Sequence, residues 1–498
     1  MNLISQKVSF REKAGYSLGD MAANFVFQMM MMFQLQFYTD VFGLAGTVAG
    51  SVLLIARIAD AFVDPVVGIL SDRTNTKWGK YRPWVVWTAI PFCVFYVLAF
   101  YNPGIENKAM LAGWATFSYI MLMAAYSFNN TPYSSLAGVM SSDIKERTSI
   151  ASTRFVFATI ATFIVQGLTL PLVNKFGMVN GTVDKSHGWF ITILIFSSIA
   201  LIFLIIAGIS AKERISPPAN QKTSVVQDVK DIFGSLPWRS MFILTLFLFI
   251  TLAMWGSAMS FYFNNYVDPN ALLAFISRFG LVDEAGTGSG VFYSILNAFG
   301  LIAKSSKDAY AVGFSLFNMV GSLIQFFGVI LLSNYLANRF GKKQTFFVCM
   351  GFTTIATALF FLPTPQNISL MFTLNIFKSM AYAPTVPLLW AMMADVADES
   401  EFRNHRRATG FVFAGIVFGL KAGLGIGGAL CGAVISFYGY DSTLAVQTDS
   451  ALQGIRMAAS IIPGITFFIC FICLFFYPIS KQRNEEIQQE LTLRRANA

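Results

Sequence analysis

Apolar runs long enough to cross a bilayer, about 20 residues each, recur along the whole chain. They fall over residues 15–42, 46–71, 82–101, 109–138, 151–173, 188–210, 239–266, 309–334, 343–362, 367–394, 407–437 and 453–477. The pattern predicts an all-α membrane protein of about twelve helices. One run breaks its own apolar rule. Residues 51–80 read SVLLIARIADAFVDPVVGILSDRTNTKWGK, and Arg57, Asp60 and Asp64 stand at i, i+3 and i+7, one face of a helix. An ionised side chain near the bilayer centre costs roughly 2.5–3.5 kcal/mol on insertion scales. Three on one stripe therefore predict a polar cavity rather than a lipid contact.

The polar segments between the runs set the topology. Basic residues gather after the even-numbered spans, at Arg73, Lys77, Lys80 and Arg82, then at Lys145 and Arg147, Lys212 and Arg214, Arg339, Lys342 and Lys343, and Arg403, Arg406 and Arg407. The opposite loops hold few, so the positive-inside rule places both termini in the cytoplasm. Asp72-Arg73 followed by Gly79-Lys80 is echoed by Asn338-Arg339-Phe340-Gly341-Lys342-Lys343, which implies two parallel six-helix halves. The expected division is a cytoplasmic N-terminus (1–14), an N-terminal half (15–210), a cytoplasmic linker with Pro217-Pro218 (211–238), a C-terminal half (239–477) with a long external loop (267–308), and a cytoplasmic tail (478–498).

Composition agrees: 55% of residues are hydrophobic and 12% charged, against about 25% charged in soluble domains. The net charge of +9 resides in the loops and tails, so it does not argue for nucleic-acid binding. Residues 1–14 lack the apolar core and cleavage site of a secretory signal. The five cysteines lie in or beside apolar spans, and Cys470 and Cys473 read as packing rather than metal ligands.

Further candidate chemistry lies inside other spans. Asp20, Asn24 and Gln28 recur at i, i+4 and i+8, a polar stripe of the kind a sugar needs, although Asn24 and Gln28 also suit interhelical hydrogen bonding. Lys378 and Lys421 are intramembrane cations, and Lys378 has snorkelling as an alternative. Met29 to Met32 read as packing, and the glycines at 423, 425, 427 and 428 read as close helix contact, not a nucleotide loop. His187 and His405 fall at interfaces, which excludes a central histidine relay.

Several motifs in order make the chain similar to the glycoside–pentoside–hexuronide:cation symporters of the major facilitator superfamily, the melibiose permease type. They are Gly19-Asp20; Arg57-x-x-Asp60-x-x-x-Asp64-Pro65; Trp78-Gly79-Lys80-x-Arg82-Pro83-Trp84; Asn130-Thr131-Pro132-Tyr133; Met393-Ala394-Asp395-Val396-Ala397-Asp398; Arg406-Arg407-Ala408-Thr409-Gly410; and Lys421. The resemblance implies a coupling cation, Na⁺, Li⁺ or H⁺, at Asp60, Asp64 and Ser127, and no organic cofactor. It implies sugar contacts at Asp20, Tyr126, Asn130 and Arg154, the last of which could instead snorkel to the interface. Lys421 would compensate the aspartates when the cation leaves, and Asp72, Arg73, Arg82, Asp395, Asp398 and Arg407 would form gating pairs. A packed ionic cluster, in which Arg57 and Lys421 merely neutralise the aspartates, is the structural alternative.

The departures bear on substrate. The melibiose permease type has a carboxylate where this chain has Asn130 and a tryptophan where it has Ser134, and Lys378 is an added cation. The cavity becomes more positive by two charges, which points to an acidic saccharide such as a uronide, met by Lys378 or Arg57. Neutral xylosides or other glycosides are the alternative. A membrane enzyme is disfavoured because Arg57 keeps the neighbouring carboxylates ionised; a transporter-like sensor would bind ligand without moving it. The expected protein works as a monomer in the inner membrane and carries its sugar by alternating access.

Overall fold

The computed structural model describes residues 7–141, 143–179, 182–214, 233–404 and 409–496. The first helix, α1 (Phe10–Met32), starts five residues earlier than hydropathy indicates, because Ser9 caps it, its Oγ accepting from the Glu12 amide at 3.3 Å. Helical backbone resumes over Gln34–Gln36 and continues through a wider turn at Phe37–Val41. Then follow α2 (Gly46–Arg73), α3 (Arg82–Ala99, interrupted at Thr88), α4 (Lys108–Met140), α5 (Ile144–Gly177) and α6 (Lys185–Ser210). A two-stranded antiparallel ribbon, β1 (Met178–Val179) and β2 (Thr182–Val183), joins α5 to α6.

The remaining elements are α7 (Leu236–Phe261), the short α8 (Pro269–Ser277) and α9 (Val291–Ala298), α10 (Ser306–Phe340), α11 (Lys342–Ala358), α12 (Ile368–Tyr382), α13 (Thr385–Asn404), α14 (Thr409–Phe437), α15 (Asp449–Phe476, broken at Ser460) and α16 (Lys481–Ala496). The expected tail is thus a helix, with Ile487 and Leu491 buried and Gln488 bonded to Asp398 at 2.7 Å. The expected external loop carries two short helices, α8 and α9. Most of the expected linker, including Pro217-Pro218, lies outside the described residues.

Among the described residues, nine helices are long and apolar enough to cross a membrane. The spans that fall short are the first, the second and the tenth. The first two carry Asp20 and the Arg57, Asp60, Asp64 stripe; the tenth is split into α12 and α13 around Pro384, which has no N–H to continue the ladder.

The chain forms two compact units. One comprises residues 1–219, 268–319 and 441–447, so the 268–303 segment clusters with the N-terminal helices. In it α1 packs on α5 and α6, and α2 and α3 pack on α4. Tyr16, Tyr81, Tyr133, Leu136 and Ala207 form an apolar cluster near its polar ends. The other unit comprises residues 220–267, 320–440 and 448–498. Its seam is α7 against α14, where Gly415, Gly419, Gly423 and Gly427 recur every fourth residue; a Cβ on Gly423 would lie 2.5 Å from the Leu246 carbonyl oxygen. Of the glycines expected at close contact, Gly423 and Gly427 therefore serve it, and the five cysteines are buried free thiols.

Candidate substrate and cation site

The strongest sequence signal becomes a specific geometry in the first unit. Asp60, 2% exposed on α2, accepts a 2.6 Å hydrogen bond from Ser127 Oγ on α4. A short bond to an ionised oxygen is of the stronger, charge-assisted kind. Arg57, one turn before Asp60 and also buried, lies near enough to Tyr119 on α4 to act on its hydroxyl electrostatically, and Asp64 is half-buried one turn beyond. The three expected cation ligands thus sit on two packed helices. Tyr126, on the same face of α4, is close enough to feel the charges of Arg57, Asp60, Asp20 and Asp64.

A second cluster ties α1, α4 and α5 together. Arg154 clamps Asp20 with both arms of its fork, Nε to Oδ2 at 2.6 Å and Nη2 to Oδ1 at 3.0 Å. Tyr133 donates to the same carboxylate at 2.8 Å, and its ring stacks on Tyr16 at 4.5 Å between centroids. The guanidinium lies over both rings, 5.6 Å from Tyr16 and 5.2 Å from Tyr133, adding cation–π attraction. Gly19 is obligatory here, since a Cβ would run into the Tyr133 ring. Arg154 accordingly turns inward to Asp20.

The rest of the α1 stripe is committed within the fold. Gln28 donates to Thr162 Oγ1 at 3.1 Å and accepts from Gln166 at 3.3 Å, joining α1 to α5, while Asn24 donates to the Asp20 carbonyl at 2.8 Å. Asn130 differs. It is half-buried, and among the described residues its side chain has no hydrogen-bond partner, which leaves a donor and an acceptor open on the helix face that holds Ser127.

In the second unit, Lys378 on α12 does not reach outward. Its Nζ lies 2.7 Å from the centroid of the Trp255 ring on α7, and among the described residues no carboxylate pairs with it. An ammonium over an indole is partly compensated by the ring's quadrupole, less completely than by an anion. Lys421 stands near the middle of α14, half-buried.

Among the described residues, the gate candidates Asp72, Arg82, Asp395 and Asp398 bond to groups other than one another. Asp72 accepts from the Tyr81 hydroxyl at 2.8 Å; burial first, and then this carboxylate, raises that phenol above its ordinary range. Arg82 donates to the Gly208 and Ile209 carbonyls at the end of α6, at 3.1 and 3.0 Å, where a cation complements the helix dipole. Arg73 is exposed at the end of α2. Asp395 takes both of its short contacts, 2.6 and 2.8 Å, from Lys342, and Asp398 binds Gln488; Arg407 lies outside the described residues.

Several residues in these clusters were not singled out by sequence. Tyr119, Tyr126 and Tyr133 recur every seven residues, two helical turns, and this repeat was the available signal for Tyr119, while Tyr133 stood in the Asn130-Thr131-Pro132-Tyr133 motif without a role. Glu213 accepts from the amides of Lys80, Tyr81 and Arg82 at 2.8, 2.8 and 3.0 Å, capping α3, and no local pattern announces it.

Membrane-length apolar helices around buried carboxylates, in an all-α fold, define a membrane transporter of the major facilitator fold. A solved D-xylose–proton symporter shares that fold, with a TM-score of 0.58 at 15% identity over 94% of this chain and 97% of that one. The family model for MFS/sugar transport proteins matches residues 15–328 and 302–481, and the chain belongs to that family, within its glycoside–pentoside–hexuronide:cation symporter branch. It is therefore a transporter and not an enzyme. The inner membrane symporter YicJ of Escherichia coli (strain K12) is 31% identical over 98% of this chain and 96% of that protein. An isoprimeverose transporter of Lactiplantibacillus pentosus is 30% identical over 95% and 90%, and a glucuronide carrier protein homolog of Escherichia coli (strain K12) is 27% identical over 99% and 97%.

Proposed function

We propose that this sugar symporter imports an acidic saccharide, a uronide, by alternating access coupled to Na⁺ or H⁺. The observation that carries the coupling is the 2.6 Å bond between Ser127 and Asp60, which joins two packed membrane helices. With Asp64 one turn away, these oxygens suit a small hard cation, and a carboxylate equally accepts a proton. The cation removes negative charge beside the sugar contacts, so each ligand raises affinity for the other. Asn130 and Tyr126 offer hydroxyl-matching groups, and the clamped Asp20 and Arg154 form the wall behind them.

The acidic substrate is supported by Lys378, which has an indole but no carboxylate partner among the described residues. A substrate carboxylate would complete its coordination with a charge-assisted bond. The relative named as a glucuronide carrier homolog agrees with this choice. Neutral xylosides or other glycosides form the second reading, favoured by the higher identity to the isoprimeverose transporter. The protein would act as a monomer in the inner membrane with both termini in the cytoplasm.

The test is uptake of labelled glucuronide or galacturonide, beside a xyloside, into proteoliposomes under a Na⁺ or a pH gradient. Gradient-driven uptake of the uronide alone is the expected result. Preference for the xyloside would keep symport and discard the acidic substrate, and binding without entry would make the protein a sensor.

A further inference from the structure

The segment after α7 contains a helix whose amphipathic pattern runs opposite to what water selects. On α9, Val291, Phe292 and Ile295, with Phe299 just beyond, stand at i, i+1, i+4 and i+8, one face of the helix. They are 80%, 74%, 50% and 43% exposed. The polar groups point the other way. Tyr293 donates its hydroxyl to Asp283 Oδ2 at 2.6 Å, and Lys175 Nζ caps the Asn297 and Ala298 carbonyls at 3.0 and 2.7 Å. Asp283 also accepts from the Thr287 and Gly288 amides at 3.1 and 3.0 Å. Its own amide donates to the Ala303 carbonyl, and the Ala303 amide to the Leu281 carbonyl, both at 2.9 Å. A bonded frame therefore holds the apolar face outward.

The attachment points place this frame at a membrane border. Lys175 belongs to the last turn of α5, a helix apolar enough to cross a bilayer over Glu146–Gly177. Gly300, at φ +72°, seats against the Pro171 carbonyl, where a Cβ would come within 2.6 Å of the oxygen. Pro171 lies about 9 Å below the end of α5 at a rise of about 1.5 Å per residue. An apolar face fixed to the end of a membrane-crossing helix is within reach of the level where acyl chains meet headgroups. Interfacial helices bury such a face by several ångströms and keep their polar side elsewhere.

We propose that α9 is an interfacial helix that inserts Val291, Phe292, Ile295 and Phe299 into the lipid leaflet at the end of α5, anchoring the 268–303 segment to the membrane.

The experiment uses the full-length protein in phosphatidylcholine–phosphatidylglycerol vesicles, with a nitroxide on a single cysteine introduced by Val291→Cys, Phe292→Cys or Ile295→Cys. Ser294→Cys and Glu284→Cys serve as references, and the native cysteines are buried and shielded from label. Collision with oxygen, which concentrates in lipid, is compared with collision with a water-soluble nickel chelate. A several-fold excess of oxygen over nickel contact at 291, 292 and 295, reversed at 284 and 294, is expected. Nickel preference at all five positions would overturn the proposal, and so would exclusion of both reagents from the apolar face, which would mean a protein partner.

Discussion

In the first unit, Asp20 is held by Arg154 and Tyr133, and Asp60 by Ser127. In the second, Lys378 has only the Trp255 ring for company among the described residues, while a glycine seam tightens the packing of α7 on α14. Buried charge met by a partner of fixed geometry is costly to disturb, because removing one member strands the other. A cation resting on an aromatic face is only partly compensated and gains most from an anionic ligand. The difference separates charges fixed by partners within the fold from one that, in the function proposed above, is open to a substrate.

The largest expected effect comes from breaking the bidentate clamp. Arg154→Gln leaves Asp20 uncompensated and should lower stability by about 3–5 kcal/mol, with much of the loss recovered when Asp20→Asn is added. Thermal unfolding of both variants in detergent measures it, and a single-variant loss below about 1 kcal/mol would reduce the clamp to an ordinary surface pair. Next, Asp60→Asn removes a charge-assisted bond of about 1.5–3 kcal/mol, roughly 10–100-fold in cation affinity. Gradient-driven uptake should vanish while the protein stays folded; unchanged coupling would remove Asp60 from the cation site.

Gly427→Ala tests the packing half of the comparison. A Cβ there meets the Ile250 carbonyl, so the variant should lose about 1–3 kcal/mol even though alanine is the better helix former by about 1 kcal/mol. A rise in melting temperature would contradict the seam. The smallest effect is the most selective one. Lys378→Met should weaken uronide binding roughly tenfold, one charge-assisted bond, and leave xyloside binding unchanged. Equal affinities before and after, measured by calorimetry, would free Lys378 of any substrate role.

Much of this architecture was legible in hydropathy, and so, indirectly, was the site. The spans that fall short of a long apolar helix carry Asp20, the Arg57 stripe and the Pro384 break in the span that holds Lys378. Charge inside a membrane is expensive, so function registers as a defect in an apolar run. Ser127 came from family resemblance and the helix pairing placed it on Asp60. Gln28 illustrates the limit: its spacing suited a sugar stripe, yet Thr162 and Gln166 occupy its amide. The start of α1, by contrast, was readable from the Ser9 and Glu12 cap, which hydropathy alone overlooks.

By itself the sequence determined that the chain spans a membrane, about how often, and which spans carry charge, because hydropathy and helical period are properties of neighbouring residues. Tertiary structure alone decided who meets whom. Arg154 reaches Asp20 across 134 positions and Ser127 reaches Asp60 across 67, and such partners are set by which helices pack together. The same holds for α9: its apolar stripe is visible in the chain, but only the contacts from Lys175 and Asp283 show that it is turned away from the protein.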